Sequence, residues 1–214
     1  MHAADSRSPK TRSFVHLVLL TGWIATYIWL WNSGSVASKA IFAVGLLALF
    51  VFMHRFQNEP LRAVIMPANS LAPTFGWVVA LLVPIGIAIM IFVFKISLQS
   101  MLPPGSLQRL LDLVLLGLLQ QYVLLAQLFR PSALLLGGNG RGMLLAASIF
   151  ALLHWPNPFL MVVTFAAGLA ACWLYRRAGN IPALGVAHGL ISFALYSALP
   201  RELTHGLRFG PSFE

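Results

Sequence analysis

Long apolar runs that carry almost no charge follow one another along most of this chain. A helix needs about 20 consecutive apolar residues to cross the hydrocarbon core of a bilayer. Seven candidate spans follow from this criterion, and the second and fifth of them are short: 14–32, 40–54, 73–94, 107–129, 143–155, 159–175 and 181–199. The runs are apolar all round and do not alternate with a period of two, which excludes the strands of a β-barrel. The sequence therefore predicts an all-α, multi-pass transmembrane helical bundle of about seven spans, with about six to eight as the range.

The composition supports this class of protein. Of the 214 residues, 59% are hydrophobic and 9% are charged, against roughly 25% charged residues in soluble domains. Five acidic and fourteen basic side chains cannot cover a water-soluble surface of this size. A soluble enzyme and a disordered chain are thereby excluded. The net charge of +9 is distributed between the apolar runs and forms no single patch, so the expected partner is the lipid bilayer and not a nucleic acid.

No repeat and no Gly/Ser-rich linker divides the chain, which predicts one membrane-embedded domain over residues 1–214. The ends, 1–12 and 202–214, are expected to be mobile tails. With seven spans and the N-terminus inside, nine basic residues fall on the inner side and five on the outer side, which predicts a cytoplasmic N-terminus. The first run is interpreted as an uncleaved span, with a removed signal peptide as the alternative.

Polar side chains inside the runs are the strongest indication of function, because they are costly in a bilayer and face a cavity or a partner helix. Gln120 and Gln121 are adjacent in Leu-Leu-Gln-Gln-Tyr-Val-Leu-Leu. His154 closes the fifth run before Trp-Pro-Asn-Pro, and Phe150, four residues earlier, shares its helix face. The structural alternatives are interhelical hydrogen bonds for the glutamines and an interfacial position for His154.

The last run contains a third polar position. His188 is followed one turn later by Ser192, which could orient the imidazole, and both lie on one helix face. Gly185 and Gly189 flank this histidine with a spacing that permits close helix packing. A packed helix with one hydrogen-bonded histidine is the structural alternative.

The order of these motifs resembles the CPBP family, the CAAX-protease and bacteriocin-processing membrane proteins, also called the Abi family. The resemblance covers about residues 110–195, and Phe150–His154 and Tyr175–Ser192 are its most specific parts. It implies an all-helical intramembrane endopeptidase with its site between helices. The family pattern is Glu-Glu-xxx-Arg, then Phe-xxx-His, then a further histidine, often in His-xxx-Asn.

Carried over by position, the family's catalytic residues fall on five residues of this chain: Gln120, Gln121, His154, His188 and Ser192. The two glutamates of the pattern are glutamines here, and its arginine falls on Leu125. A carboxylate can accept a proton from water, whereas a neutral amide cannot. All three positions of the first motif thus carry uncharged side chains, which is typical of positions that have changed together.

Three mechanisms are compatible with these departures. In the first, His154 or His188 is the base, since imidazole accepts a proton near neutral pH. In the second, Asp112 or Glu202 reaches the site from elsewhere in the chain. In the third, the protein binds without cutting.

No cofactor is expected from this sequence. A metal ion at His154 and His188 is the alternative, but two histidines fall short of the three protein ligands that are usual in catalytic zinc sites. Cys172 is the only cysteine, so neither an internal disulfide nor a cysteine-rich zinc site can form.

The resemblance thus implies an integral membrane protein, in a prokaryotic plasma (inner) membrane, that cleaves a membrane-associated peptide, a C-terminal tail or a sorting segment of a protein substrate. The alternative is a catalytically inactive protein on the same scaffold that acts as a binding, immunity or assembly factor.

Overall fold

The computed structural model describes residues 8–31, 35–57, 61–65, 72–80 and 105–213, and every regular element within these ranges is helical. The predicted all-α class is therefore confirmed. In chain order the helices are α1 (Pro9–Thr26), α2 (Val36–Gln57), α3 (Leu61–Ile65), α4 (72–80), α5 (Ser106–Tyr122), α6 (Arg130–Leu136), α7 (Asn139–Leu152), α8 (Pro158–Ala178), α9 (Ile181–Ala198) and α10 (Arg201–Thr204).

The described residues contain five stretches long and apolar enough to cross a membrane: Pro9–Leu30, Val36–His54, Ser106–Leu136, Pro158–Ala178 and Ile181–Ala198. They correspond to the first, second, fourth, sixth and seventh predicted spans. The third, 73–94, is helical up to residue 80, and its remainder lies outside the described residues. The fifth corresponds to α7, whose 14 residues extend about 21 Å. This helix is shorter than the roughly 30 Å hydrocarbon core of a bilayer.

Local sequence determines where these helices begin and end. The side chains of Ser8, Asn157 and Asn180 accept hydrogen bonds from the first turns of α1, α8 and α9, and a proline in each first turn is preorganised for the helix. Helix α8 ends at Gly179, whose φ of 70° is the left-handed conformation that glycine adopts without strain. These caps and prolines thus determine where α1, α8 and α9 begin, and α9 carries His188.

The helix α5 continues into α6 through a π-helical segment, Val123–Phe129. All seven of its residues are buried, and Leu124, Leu125 and Leu128 belong to the main apolar core. The fourth predicted span, 107–129, is therefore part of a longer helix, Ser106–Leu136. Wider turns of this kind shift the register of the side chains and occur frequently at functional sites.

Helices α5 and α9 approach each other through glycines. A Cβ atom on Gly117 would lie 2.6 Å from the carbonyl oxygen of Gly185, and one on Gly189 would lie 2.5 Å from the Cα of Val114. The space between the two backbones therefore admits no side chain at these positions. This contact brings the last turns of α5, which contain Gln121, against the part of α9 that contains His188.

The end of the chain packs back onto the bundle. Residues 201–213, which we call the C-terminal strap, comprise α10 and the 3₁₀ turns His205–Leu207 and Gly210–Phe213. The Gly210 amide donates to the Trp155 carbonyl oxygen over 2.8 Å. Of the two ends expected as tails, residues 9–12 begin α1 and 202–213 lie within the strap, while 1–7 and 214 are outside the described residues.

Candidate active site

One cavity brings four of the five predicted site residues together. Gln120, His154, His188 and Ser192 all line a cavity of about 100 Å³ between α5, α8, α9 and the strap. A second cavity, of about 190 Å³, also touches Gln120 and His154 and extends towards α1 and α2. Both cavities are otherwise lined mainly by apolar side chains, so a few polar groups converge in an apolar pocket, as is usual in ligand-binding sites.

The fifth predicted residue, Gln121, contacts the site through His188. The Nε2 atom of Gln121 lies 2.9 Å from Nδ1 of His188. An amide nitrogen can only donate, so Nδ1 of His188 is the acceptor and the proton of the neutral ring is on Nε2. Sequence reasoning gave the orienting role to Ser192, but the structure describes no hydrogen bond between Ser192 and His188. Gln121 is only 3% exposed, and the contact lies inside the bundle.

His154 is oriented by the last turn of α7. Its Nδ1 atom lies 2.7 Å from the carbonyl oxygen of Phe150, and a carbonyl oxygen can only accept. Nδ1 therefore carries the proton, and Nε2 has the free lone pair of the neutral ring. The Phe150 ring packs edge-on against His154, with centroids 5.0 Å apart, and 6.3 Å from the His188 ring. The Phe-xxx-His spacing thus places both the carbonyl and the ring of Phe150 against the imidazole of His154.

Burial of His154 affects its protonation. The side chain is buried and lies beyond the end of α7, outside the five candidate spans. Removal from water penalises the charged form and lowers the pKa of His154, although the hydrogen bond to the Phe150 carbonyl opposes this shift. At neutral pH the ring is therefore neutral and can accept a proton.

The strap closes one side of the site. Leu207 and Phe209 line the cavity that contains both histidines, and Phe209 lies against His154 with ring centroids 5.1 Å apart. Asn157 fixes the strap, since its Nδ2 atom donates to the carbonyl oxygens of Thr204 and Arg208 over 3.0 and 2.9 Å. Sequence reasoning missed Phe209, because no local pattern links it to a histidine 55 positions away.

A second polar cluster lies where α5 continues into the π-helical segment. Gln127 donates to the Tyr122 hydroxyl over 2.9 Å, and that hydroxyl lies 2.7 Å from Nε2 of His54. Nε2 of His16 donates to the Gln127 carbonyl oxygen over 2.9 Å. The cluster ties α1 and α2 to the π-helical segment directly after Gln121.

Neither acidic side chain considered from the sequence lines the described cavities. Asp112 is exposed and accepts a hydrogen bond from Gln108 over 2.9 Å, and Glu202 is exposed on α10. Within the described ranges, no group of three or more His, Cys, Asp or Glu residues is placed to hold a metal ion. The polar side chains that line the cavity of both histidines are therefore the Gln120 amide, the hydroxyls of Thr164 and Ser192, and the two imidazoles.

Residues 107–194, which comprise nearly all of α5 to α9, match a family described as type II CAAX prenyl endopeptidase Rce1-like. We call residues 107–194 the Rce1-like segment, after the family to which they are similar. The resemblance to the CPBP family is thereby confirmed over the part of the chain that contains all five predicted site residues. No curated protein and no solved structure matches the chain. Together with the apolar helices, the match indicates an integral membrane protein.

The burial of Leu125 explains one departure from the family pattern. Leu125, at the position of the family's arginine, is fully buried in the apolar core. A cation there would need a buried anionic partner, and both residues at the glutamate positions are neutral amides. The three substitutions are thus mutually compatible, because none leaves an unpaired charge in the core.

Proposed function

We propose that this protein is an intramembrane endopeptidase of the CPBP type that cleaves a membrane-associated peptide, a C-terminal tail or a sorting segment. The observation that carries the proposal is the cavity at which Gln120, His154, His188 and Ser192 meet within the Rce1-like segment. The proposed location is a prokaryotic plasma membrane with the N-terminus in the cytoplasm, as the bias of the basic residues indicates.

In the proposed reaction His154 is the general base. Its Nε2 takes a proton from a water molecule as the water oxygen bonds to the scissile carbonyl carbon. The same proton passes to the amine that leaves when the C–N bond breaks, so the products are a carboxyl group and an amine. The hydrogen bond from Nδ1 to the Phe150 carbonyl supports this role, because it keeps the lone pair on Nε2.

The other polar groups stabilise the negative charge that develops on the carbonyl oxygen. Because Gln121 donates to Nδ1 of His188, the proton of that ring is on Nε2. Nε2 of His188 can therefore donate a hydrogen bond, whereas Nε2 of His154 can accept one. The Gln120 amide lines the same cavity and offers a second donor. Donors fixed in an apolar cavity stabilise an oxyanion more strongly than water does. The proposed chemistry uses these side chains and one water molecule and includes no metal ion.

A specific observation favours a second candidate function. No carboxylate lines either described cavity at the histidines, and the family pattern has two glutamates at positions 120 and 121. A protein that binds a membrane segment without cutting it, as an immunity or assembly factor, would need the cavity but not a base.

The test is cleavage by the purified full-length protein in lipid bilayers. A farnesylated peptide with a C-terminal CAAX sequence and a mixture of membrane-protein tail peptides serve as probes, with products identified by mass spectrometry. We expect the parent to cleave a probe, and we expect His154→Asn to lower the cleavage rate about 100-fold or more, which is the scale of general-base catalysis. The asparagine amide can still donate to the Phe150 carbonyl, so the fold is retained. We also expect Gln120→Leu, which removes the second proposed donor, to lower the cleavage rate; its matched control is Gln108→Leu, on the exposed first part of α5.

The pH dependence separates the base from other ionisable groups. Because burial lowers the pKa of His154, we expect the cleavage rate to be constant around neutral pH. We expect it to fall only below the ordinary titration range of histidine, as the ring becomes protonated. Full cleavage by the His154→Asn and His188→Ala variants would exclude the assigned roles. Absence of cleavage by the parent, with cleavage gained in Gln120→Glu/Gln121→Glu, would favour the binding function.

A further inference from the structure

Three arginines converge on one pocket at the end of the bundle that carries the strap. Arg109 on α5, Arg201 on α10 and Arg208 in the strap line a pocket of about 340 Å³, together with Tyr196, His205, Gly206 and Phe213. No ion pair joins any of the three arginines to a carboxylate within the described part of the chain. Like charges gathered in this way repel one another, so the arrangement favours a bound anion.

Tyr196 organises two of these cations. The Arg109 guanidinium lies over the Tyr196 ring, 4.3 Å from its centroid, and Nη2 of Arg201 lies 3.5 Å from the tyrosine hydroxyl. A guanidinium that is already held in place loses less conformational freedom when it binds a ligand. Its planar fork matches the oxygens of a phosphate group, which it binds with two parallel hydrogen bonds.

The position of the pocket along the helices points to its ligand. Helix α5 begins at Ser106 and α9 ends at Ala198, and both belong to candidate membrane spans. Arg109 and Tyr196 therefore lie at the ends of spans, where a helix meets the lipid headgroups and where aromatic and basic residues are enriched. The phosphate groups of phospholipids lie at this level, in the headgroup region that borders the hydrocarbon core.

We propose that Arg109, Arg201 and Arg208 form a binding site for a phosphate-bearing anion, either the headgroup of an anionic phospholipid or free phosphate. The site is independent of the proposed catalytic chemistry. It is connected to the cavity through the strap, because Arg208 lies in the pocket while its neighbours Leu207 and Phe209 line the cavity. An anion held by Arg208 together with Arg109 and Arg201 therefore stabilises the strap over the cavity.

The experiment measures ligand binding without reference to proteolysis. Full-length protein in neutral detergent micelles is titrated with phosphatidylglycerol, with phosphatidylcholine, or with inorganic phosphate at matched ionic strength. Bound lipid is counted by native mass spectrometry, and thermal unfolding is followed in parallel. We expect phosphatidylglycerol to bind and to raise the unfolding temperature, and phosphatidylcholine to do neither. An equal effect of inorganic phosphate would support the same site with free phosphate as its ligand.

Substitutions locate the site. We expect Arg109→Gln/Arg201→Gln to weaken phosphatidylglycerol binding by about tenfold or more, since charge-assisted hydrogen bonds of this strength are lost. Arg141→Gln/Arg176→Gln removes the same charge from exposed positions on α7 and α8 outside the pocket, and this control keeps the affinity of the parent. The milder Arg201→Lys keeps the charge and loses the fork, so it gives an intermediate affinity if the pocket is the site.

Two results would overturn the proposal. One is equal binding of phosphatidylglycerol and phosphatidylcholine together with no effect of inorganic phosphate. The other is a loss of affinity in the Arg141→Gln/Arg176→Gln control as large as in the pocket variant, which would indicate a general effect of surface charge. Neither result depends on whether the protein cleaves peptides, so failure of this proposal is distinguishable from failure of the proposed function.

Discussion

A single hydrogen bond determines what His188 can do. Gln121 is an amide donor, so it makes Nδ1 of His188 the acceptor and leaves the proton on Nε2. A glutamate at this position, as in the family pattern, would accept a hydrogen bond from a protonated Nδ1 and leave Nε2 as the acceptor. The substitution of glutamine for glutamate therefore exchanges the roles of the two ring nitrogens. In this chain that leaves His154 as the imidazole with a free acceptor on Nε2.

We expect Gln121→Glu to reverse the tautomer of His188. Nitrogen chemical shifts of isotope-labelled histidine in the purified protein report which ring nitrogen carries the proton. In the parent Nε2 is protonated, and in the variant the carboxylate draws the proton to Nδ1. Gln120→Glu is the matched control, because the described hydrogen bond to His188 comes from Gln121. An unchanged tautomer in Gln121→Glu would show that residue 121 does not orient the ring.

At the scale of helices, the glycines of α5 and α9 determine the position of the candidate site. Gly117, Gly185 and Gly189 remove the side chains that would hold the two backbones apart. The sequence predicted this packing from the spacing of Gly185 and Gly189. It did not predict that Gly117, three residues before Gln120, is the partner in α5, because helix pairing depends on contacts distant in sequence.

Gly189→Ala should push α5 and α9 apart. Its added Cβ would lie 2.5 Å from the Cα of Val114, and overpacking of this kind costs about 1–3 kcal/mol. We expect a lower unfolding temperature and weakening of the Gln121–His188 hydrogen bond. Gly22→Ala is the matched control, since nothing lies within 4 Å of a Cβ there, and alanine favours the helix by up to about 1 kcal/mol. Equal unfolding temperatures in the two variants would contradict the packing argument.

The positions of the long helices could be predicted from the sequence, whereas their irregular turns and their contacts could not. Apolar runs predicted the helices because the cost of burying backbone polar groups in lipid leaves few other structures. The π-helical segment Val123–Phe129 was not predicted, since a run of apolar residues has the same pattern in either helix type. His54 and Tyr122 were missed for a related reason: their hydrogen bond links α2 to α5, and no spacing in the sequence records that contact.

For the whole molecule, the C-terminal strap connects the cavity with the arginine pocket. The sequence led us to expect a tail there, because residues 202–214 are polar and lack a long apolar run. The structure instead places Asn157, fully buried, between the start of α8 and the strap. Its Oδ1 atom accepts from the Leu160 amide over 3.0 Å, while Nδ2 donates to two strap carbonyls. One amide therefore caps a helix and fixes the strap.

Asn157→Asp separates these two tasks. A carboxylate still accepts from the Leu160 amide and suits the N-terminus of α8, but it cannot donate to the Thr204 and Arg208 carbonyl oxygens. Leaving buried acceptors unpaired costs about 1–3 kcal/mol each. We expect α8 to stay intact and the Gly210 amide, which donates to Trp155, to exchange with deuterium at least about tenfold faster. Asn139→Asp, at an exposed position on α7, should leave exchange in the strap unchanged.

The same variant shows whether the strap controls access to the cavity. Phe209 packs on His154 only while the strap is in place, so its release opens the pocket beside the candidate base. If Asn157→Asp speeds exchange at Gly210, a cysteine-specific reagent should label Phe209→Cys faster in the presence of this substitution than in its absence. Fast labelling of Phe209→Cys without Asn157→Asp would mean that the strap is already open, and the closed cavity would then not be the form that a substrate meets.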